Sequence, residues 1–126
     1  VTMTYQEDGR TFVGCDPRSA ALTLSGLGVD ALGVNCSLGP KELAPVVDEL
    51  LRYARVPVMV QPNAGLPKMQ GGQTVYDIGP EEYGSFMAAL AKQGAAVLGG
   101  CCGTTLSKPW QRPCRPGSGQ AAHRWP

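Results

Sequence analysis

The sequence predicts an α/β fold on parallel strands: the C-terminal half of a (β/α)8 TIM barrel, with four parallel strands and crossover helices. Three observations carry this expectation. Short, valine-rich apolar runs alternate with longer segments whose apolar residues recur every three or four positions. The short runs are apolar on both faces, as strands are when helices or a closed barrel cover them. Cys36, Asn63, Cys101 and Cys102 each fall just after a run ends, and the carboxyl edge of a parallel sheet is where sites are built. Four strands are too few to close an eight-stranded barrel, hence the half.

The elements follow in order. Val1 to Tyr5 reads as a strand end, and Gln6 to Arg10 as a turn with Gly9 at a positive φ. Asp16 and Pro17 are an N-cap and first helical residue, and Gly26 or Gly28 closes that helix. Ala31 to Cys36 is a short buried strand. Pro40 to Ala54 is a helix, because Leu43, Val46, Val47, Leu50 and Leu51 make one apolar stripe. Pro45 is expected in its first turns, where a missing amide costs little. Val56 to Val60 is a strand that opens into the tight loop Gln61 to Pro67, and residues 68–79 read as a longer polar loop. Pro80 to Gly94 is a helix, and Val97 to Gly100 the last strand. Asp77 and Glu81 are expected as a cap and a first-turn charge. Such alternation implies parallel strands with right-handed crossovers. Residues 1–105 form this unit, and 106–126 an irregular tail: four prolines, three arginines and two tryptophans carry no helical stripe there.

Composition narrows the class. The 126 residues suffice for one modest domain. A formal charge of +1 gives no reason to expect a nucleic-acid or anionic-membrane partner. No apolar run is long enough to span a bilayer, and no basic-then-apolar leader opens the chain. Five cysteines without disulfide-scaffold spacing suit a reducing cytoplasm.

The chemistry is concentrated in Gly99-Gly100-Cys101-Cys102-Gly103-Thr104-Thr105. Adjacent cysteines in a regular strand would face opposite ways. Past a strand end, framed by glycine, the backbone can bend and aim both sulfurs at one point. With Cys36 they make a three-thiol set, and catalytic zinc takes three protein ligands and keeps one position open. The spacing is not that of a zinc finger. The same three residues also read as small buried hydrophobes. Asn63 stands in a Pro-Asn-Ala-Gly turn, either as a turn former or with its amide oxygen turned to metal or substrate. Asn35 stands beside Cys36, as a hydrogen-bonding group or an end to the strand. Cys15, Cys114 and the single histidine, His123, read as incidental.

Three stretches together carry a resemblance: Gly33-Val34-Asn35-Cys36-Ser37-Leu38-Gly39-Pro40, Gln61-Pro62-Asn63-Ala64-Gly65-Leu66-Pro67, and the paired-cysteine motif. Over about residues 1–105 the chain resembles the homocysteine S-methyltransferase family, closest to the homocysteine-binding domain of its cobalamin-dependent type. The resemblance implies a (β/α)8 barrel, zinc held by Cys36, Cys101 and Cys102, and homocysteine bound through its sulfur as a thiolate. That thiolate would take a methyl group from methylcobalamin to give methionine. Asn63 would lie near the zinc and fill the open position before substrate arrives. The resemblance also implies partners outside this sequence: an N-terminal half-barrel with the groups for the amino acid end of homocysteine, and cobalamin and folate modules. Without them the fragment is not expected to be active. Another methyl donor, S-methylmethionine or betaine, and a non-catalytic remnant are the competing readings.

Overall fold

A computed structural model describes residues 1–104; the predicted tail 106–126, with Thr105, Cys114 and His123, lies outside the described residues. The order is β1 (Thr2–Met3), α1 (Pro17–Gly26), β2 (Leu32–Asn35), α2 (Pro40–Tyr53), β3 (Val58–Gln61), β4 (Pro67–Gln70), β5 (Gln73–Tyr76), α3 (Pro80–Gln93) and β6 (Val97–Leu98). One sheet runs β1-β2-β3-β6 with every neighbour parallel, and the helices are its crossovers. The expected α/β half-barrel architecture is therefore present.

Local chemistry sets the helices. Asp16 caps α1 by accepting from Ser19 N at 2.9 Å, and Pro17 follows at N1. Helices α2 and α3 also start on proline, after Gly39 and Gly79, which bring no side-chain cap. Gly94 ends α3 at φ 118, a left-handed conformation that glycine adopts without a Cβ penalty. The stripe on α2 is the core: Leu43, Val46, Val47 and Leu50 are buried in one cluster with Leu32, Val34, Val58 and Val60 of β2 and β3. Helix α2 touches α1 on one side and α3 on the other.

Three expectations need correction. Pro45 does not sit among the free amides of α2. Leu43 N already bonds Gly39 O at 3.1 Å, so the ladder has begun before Pro45, and the Lys41 carbonyl lacks its helical donor. Residues 68–79 are not a plain loop, because β4 and β5 pair antiparallel across Gly71-Gly72. Both glycines have positive φ, 58 and 79, as a type I′ hairpin turn requires. Asp77 caps no helix: its Oδ1 accepts from Leu66 N at 3.1 Å and its Oδ2 pairs with Lys68 Nζ at 3.0 Å, which closes the base of the hairpin.

The register brings the strand ends level. Asn35 pairs with Gln61 and Val60 with Leu98, so β2, β3 and β6 finish side by side. Tyr83 of α3 reinforces this from beneath: its buried hydroxyl lies 3.1 Å from Pro62 O and 2.9 Å from Gly99 O. Burial holds that hydroxyl protonated by raising its pKa. Among the described residues no helix is long and apolar enough to cross a membrane.

Two substitutions test this frame. Leu50→Ala, at a side chain 1% exposed, is expected to cost about 2–5 kcal/mol in urea unfolding. Tyr83→Phe is expected to cost about 1–2 kcal/mol, because two carbonyls lose a shared donor.

Candidate metal centre

The site is built where β2, β3 and β6 end. Cys36 follows β2 and its amide bonds Gln61 O at 3.0 Å, continuing the ladder by one step. Cys36 and Ser37 then take φ values of 62 and 64. Two successive non-glycine residues in the left-handed region are a strained bend. The bend is tied off by Leu38 N on Cys36 O at 2.8 Å and by Asn63 N on Leu38 O at 3.0 Å.

The paired cysteines leave the sheet. Cys101 N bonds Pro62 O at 2.8 Å, and Thr104 N bonds Cys101 O at 3.2 Å, so residues 101–104 form a β-turn. Gly103 takes its third position at φ 76, the position that demands glycine in a type II turn. A Cβ on Gly100 would come within 2.6 Å of the Thr104 side chain. Glycine thus serves the bend at 101–104, whereas at Cys36 the bend is made without it.

Cys36, Cys101 and Cys102 are brought together. Their sulfurs lie within 4.8 Å of one another, at 3.7 Å for Cys36–Cys102 and 4.0 Å for Cys101–Cys102. A tetrahedral zinc with bonds of about 2.3 Å spaces its sulfurs about 3.8 Å apart. The two closer sulfur pairs lie near that spacing, so the donor set suits such a cation. Cys36 and Cys101 are half-buried and Cys102 exposed, so the cluster is open on one side. Cys15 is elsewhere, with its thiol against Asp16 O at 3.5 Å.

Asn63 is buried and joins the two cysteine segments. Its Oδ1 accepts from Cys102 N at 3.1 Å, and its side chain is among the neighbours that lower the Cys36 pKa. The amide oxygen is therefore engaged by backbone. Asn35 ends β2 in register with Gln61, half-buried.

The thiols are electrostatically unequal. The Ser37 N–H is the main cause that lowers the Cys36 pKa, with burial opposing it and Cys101, Cys102 and Asn63 assisting. Burial, then Cys36 beside it, pushes Cys101 up to about 11. One sulfur ionises readily and its neighbour resists. Joint ionisation is what a bound cation would favour.

Sequence reasoning missed Tyr76. It ends β5, and its ring lies so close to Gly103 that a Cβ there would meet Cδ2 at 2.2 Å. The Gly71-Gly72 pair was the signal for the hairpin that brings it there.

Comparison with known proteins places this geometry. The sequence profile described as homocysteine S-methyltransferase matches residues 1–108. Methionine synthase from Mycobacterium leprae is 38% identical over 106 residues, 83% of this chain and 9% of that protein. Methionine synthase from Mycobacterium tuberculosis is 38% identical over 104 residues, 82% of this chain and again 9% of the relative. The chain thus spans about a tenth of the length of these relatives. Among solved structures, the homocysteine methyltransferase MmuM from Escherichia coli, in its oxidised form, superposes with a TM-score of 0.61 over 82% of this chain and 31% of that one. At 24% identity that likeness bears on the fold alone. With the profile covering the whole described region and the three thiols where its strands end, this chain belongs to the homocysteine S-methyltransferase family.

Proposed function

We propose that this chain is the zinc-holding part of a homocysteine S-methyltransferase domain, with Cys36, Cys101 and Cys102 as ligands. In the longer enzyme, homocysteine would be methylated to methionine with methylcobalamin as donor. The observation that carries the reading is the convergence of three sulfurs, all within 4.8 Å of one another, on the carboxyl edge of a parallel sheet. The methionine synthases among its relatives support methionine formation as the reaction class.

Bound zinc would supply Lewis acidity, keeping a substrate thiol ionised near neutral pH. The chain's own residues prepare for that chemistry. The Ser37 N–H and the Asn63 side chain favour the ionised Cys36 sulfur. Cys101, held protonated by burial, gives up its proton as the site fills. Asn63 holds the Cys102 amide, so the paired cysteines keep their angle to Cys36, and it borders the position that substrate would take. The exposed face at Cys102 leaves the entry side open. The groups for the amino acid end of homocysteine, the other half-barrel, and the cobalamin and folate modules belong, in this proposal, to the remaining length of the enzyme. A cytoplasmic setting fits thiols that must stay reduced.

Metal analysis of the purified chain tests the site. Wild type is expected to hold one zinc, and Cys36→Ser, Cys101→Ser and Cys102→Ser each to weaken zinc by about 10-fold or more. Zinc retained at wild-type affinity through all three changes would overturn the assignment. Acidity gives a second check. In zinc-free protein, Cys36 is expected to be alkylated at lower pH than Cys101, because its folded pKa is depressed and that of Cys101 raised. Apparent zinc affinity is expected to rise with pH across the neutral range, since binding displaces the Cys101 proton.

A further inference from the structure

Cys102 is gripped by two consecutive residues. Its amide donates to Asn63 Oδ1 at 3.1 Å, and its carbonyl accepts from Ala64 N at 3.0 Å. The loop between β3 and β4 is therefore a clamp on the exposed member of the thiol set. A clamp holds only if it is itself held. At its start, Asn63 N donates to Leu38 O at 3.0 Å. Past that point the loop is held by the end of the β4–β5 hairpin: Ile78 N donates to Ala64 O at 3.1 Å, and Leu66 N donates to Asp77 Oδ1 at 3.1 Å. Gly65 lies between those two bonds at φ 97. A Cβ on Gly65 would run into Asp77 Oδ1 and come within 2.9 Å of Ile78 Cγ1. Gly39 closes in as well, since a Cβ on it would come within 2.9 Å of Gly65 Cα. Glycine is what lets Asp77 reach the loop at such short range.

We propose that Asp77 is a positioning residue of the metal centre: by accepting the Leu66 amide it fixes the loop of residues 63–66, and through Asn63 and Ala64 that loop fixes the direction of Cys102. The proposal rests on the zinc reading given above. The carboxylate acts through the loop rather than on the metal. Each link is a hydrogen bond of the folded chain, from Leu66 to Asp77, from Ile78 to Ala64, from Ala64 to Cys102 and from Cys102 to Asn63. Cys102 depends on this support more than its partners do. Cys36 N and Cys101 N bond Gln61 O and Pro62 O, in direct continuation of the sheet, whereas Cys102 is reached only by the loop and is the most exposed of the three. Groups that orient ligands in this way govern how firmly a metal is held. The working part of Asp77 is its acceptor oxygen rather than its charge. Its partner Lys68 is exposed, and ion pairs of that kind contribute little. A backbone amide left without its acceptor costs more.

The test compares wild type with Asp77→Ala, Asp77→Asn and Lys68→Ala. All four are loaded with zinc, and release to a chromophoric chelator is timed. All four are also loaded with cobalt(II), and the thiolate-to-cobalt charge-transfer band is recorded. D77A is expected to keep one metal per chain, to release zinc about 10-fold faster, and to shift the cobalt band. D77N keeps an acceptor oxygen and K68A keeps the carboxylate, so both are expected to match wild type in rate and band. A residue that served only the stability of the hairpin would leave the band in place. An unshifted band in D77A, whatever its release rate, therefore overturns this proposal and leaves the zinc site standing. A shift in D77N or K68A as large as that in D77A places the effect in the charge and overturns it too. Should D77A fail to fold, Asp77→Glu decides beside D77N. Its longer arm has no room against Gly65, so D77E is expected to shift the band where D77N does not, and an unshifted band in D77E overturns the proposal. A wild-type chain that takes up no zinc overturns the zinc site, and this proposal with it.

Discussion

Everything at the site depends on three parallel strand ends being hydrogen-bonded at one level. Cys36 and Cys102 are 66 positions apart in sequence, yet their sulfurs are 3.7 Å apart. No local geometry could arrange that. The sheet ladder runs one step past its strands, through Cys36 N to Gln61 O and Cys101 N to Pro62 O. Asn63 and Ala64 then take both polar groups of Cys102, one through a side-chain oxygen and one through a backbone amide. Ordering so long a loop is entropically costly. It is offset by the apolar cluster below, in which the stripe of α2 covers β2 and β3. Core packing and site geometry are thus one construction, with Tyr83 reaching from the first into the second.

The electrostatics of the cluster follow from what surrounds it. Neutral donors and other thiols bias Cys36 and Cys101, and no cationic side chain is among them. Neutral donors favour one ionised sulfur at a time, since each further negative charge is opposed by those already present. Such a site is incomplete in charge while it is complete in geometry. A divalent cation supplies what is missing, and the exposed side at Cys102 is where a further ligand would approach.

The hairpin shows how a sequence can be misread with its signal in plain view. A Gly-Gly pair between short β-prone segments is a two-residue turn, and Gln70 pairs with Gln73 across it. The segment reads as loop because its residues are polar and β4 is exposed throughout. Strand formation there comes from the turn and from the closure by Asp77 and Lys68, not from burial. Asp77 was open to misreading for a related reason. An acidic residue just before a proline-initiated helix suits a cap, and only the folded position of Leu66 shows which amide it takes. The segmentation of the chain was legible because periodicity and punctuation are local: the α2 stripe, Asp16–Pro17, and Gly94 each act within one turn of chain.

The sequence by itself determined the order of strands and helices, the parallel sheet, and the placement of Cys36, Asn63, Cys101 and Cys102 just past strand ends. These follow from side-chain periodicity, proline and glycine stereochemistry, and the crossover rule, all of which act over a few residues. Only the tertiary structure decided that the three sulfurs share one point, that Cys36 and Ser37 bend without glycine, that Asn63 braces Cys102, and that Tyr76 lies on Gly103. Apart from that bend, these are distances between segments far apart in the chain. They are set by strand register and by the attachment of the hairpin, which no single stretch of residues encodes.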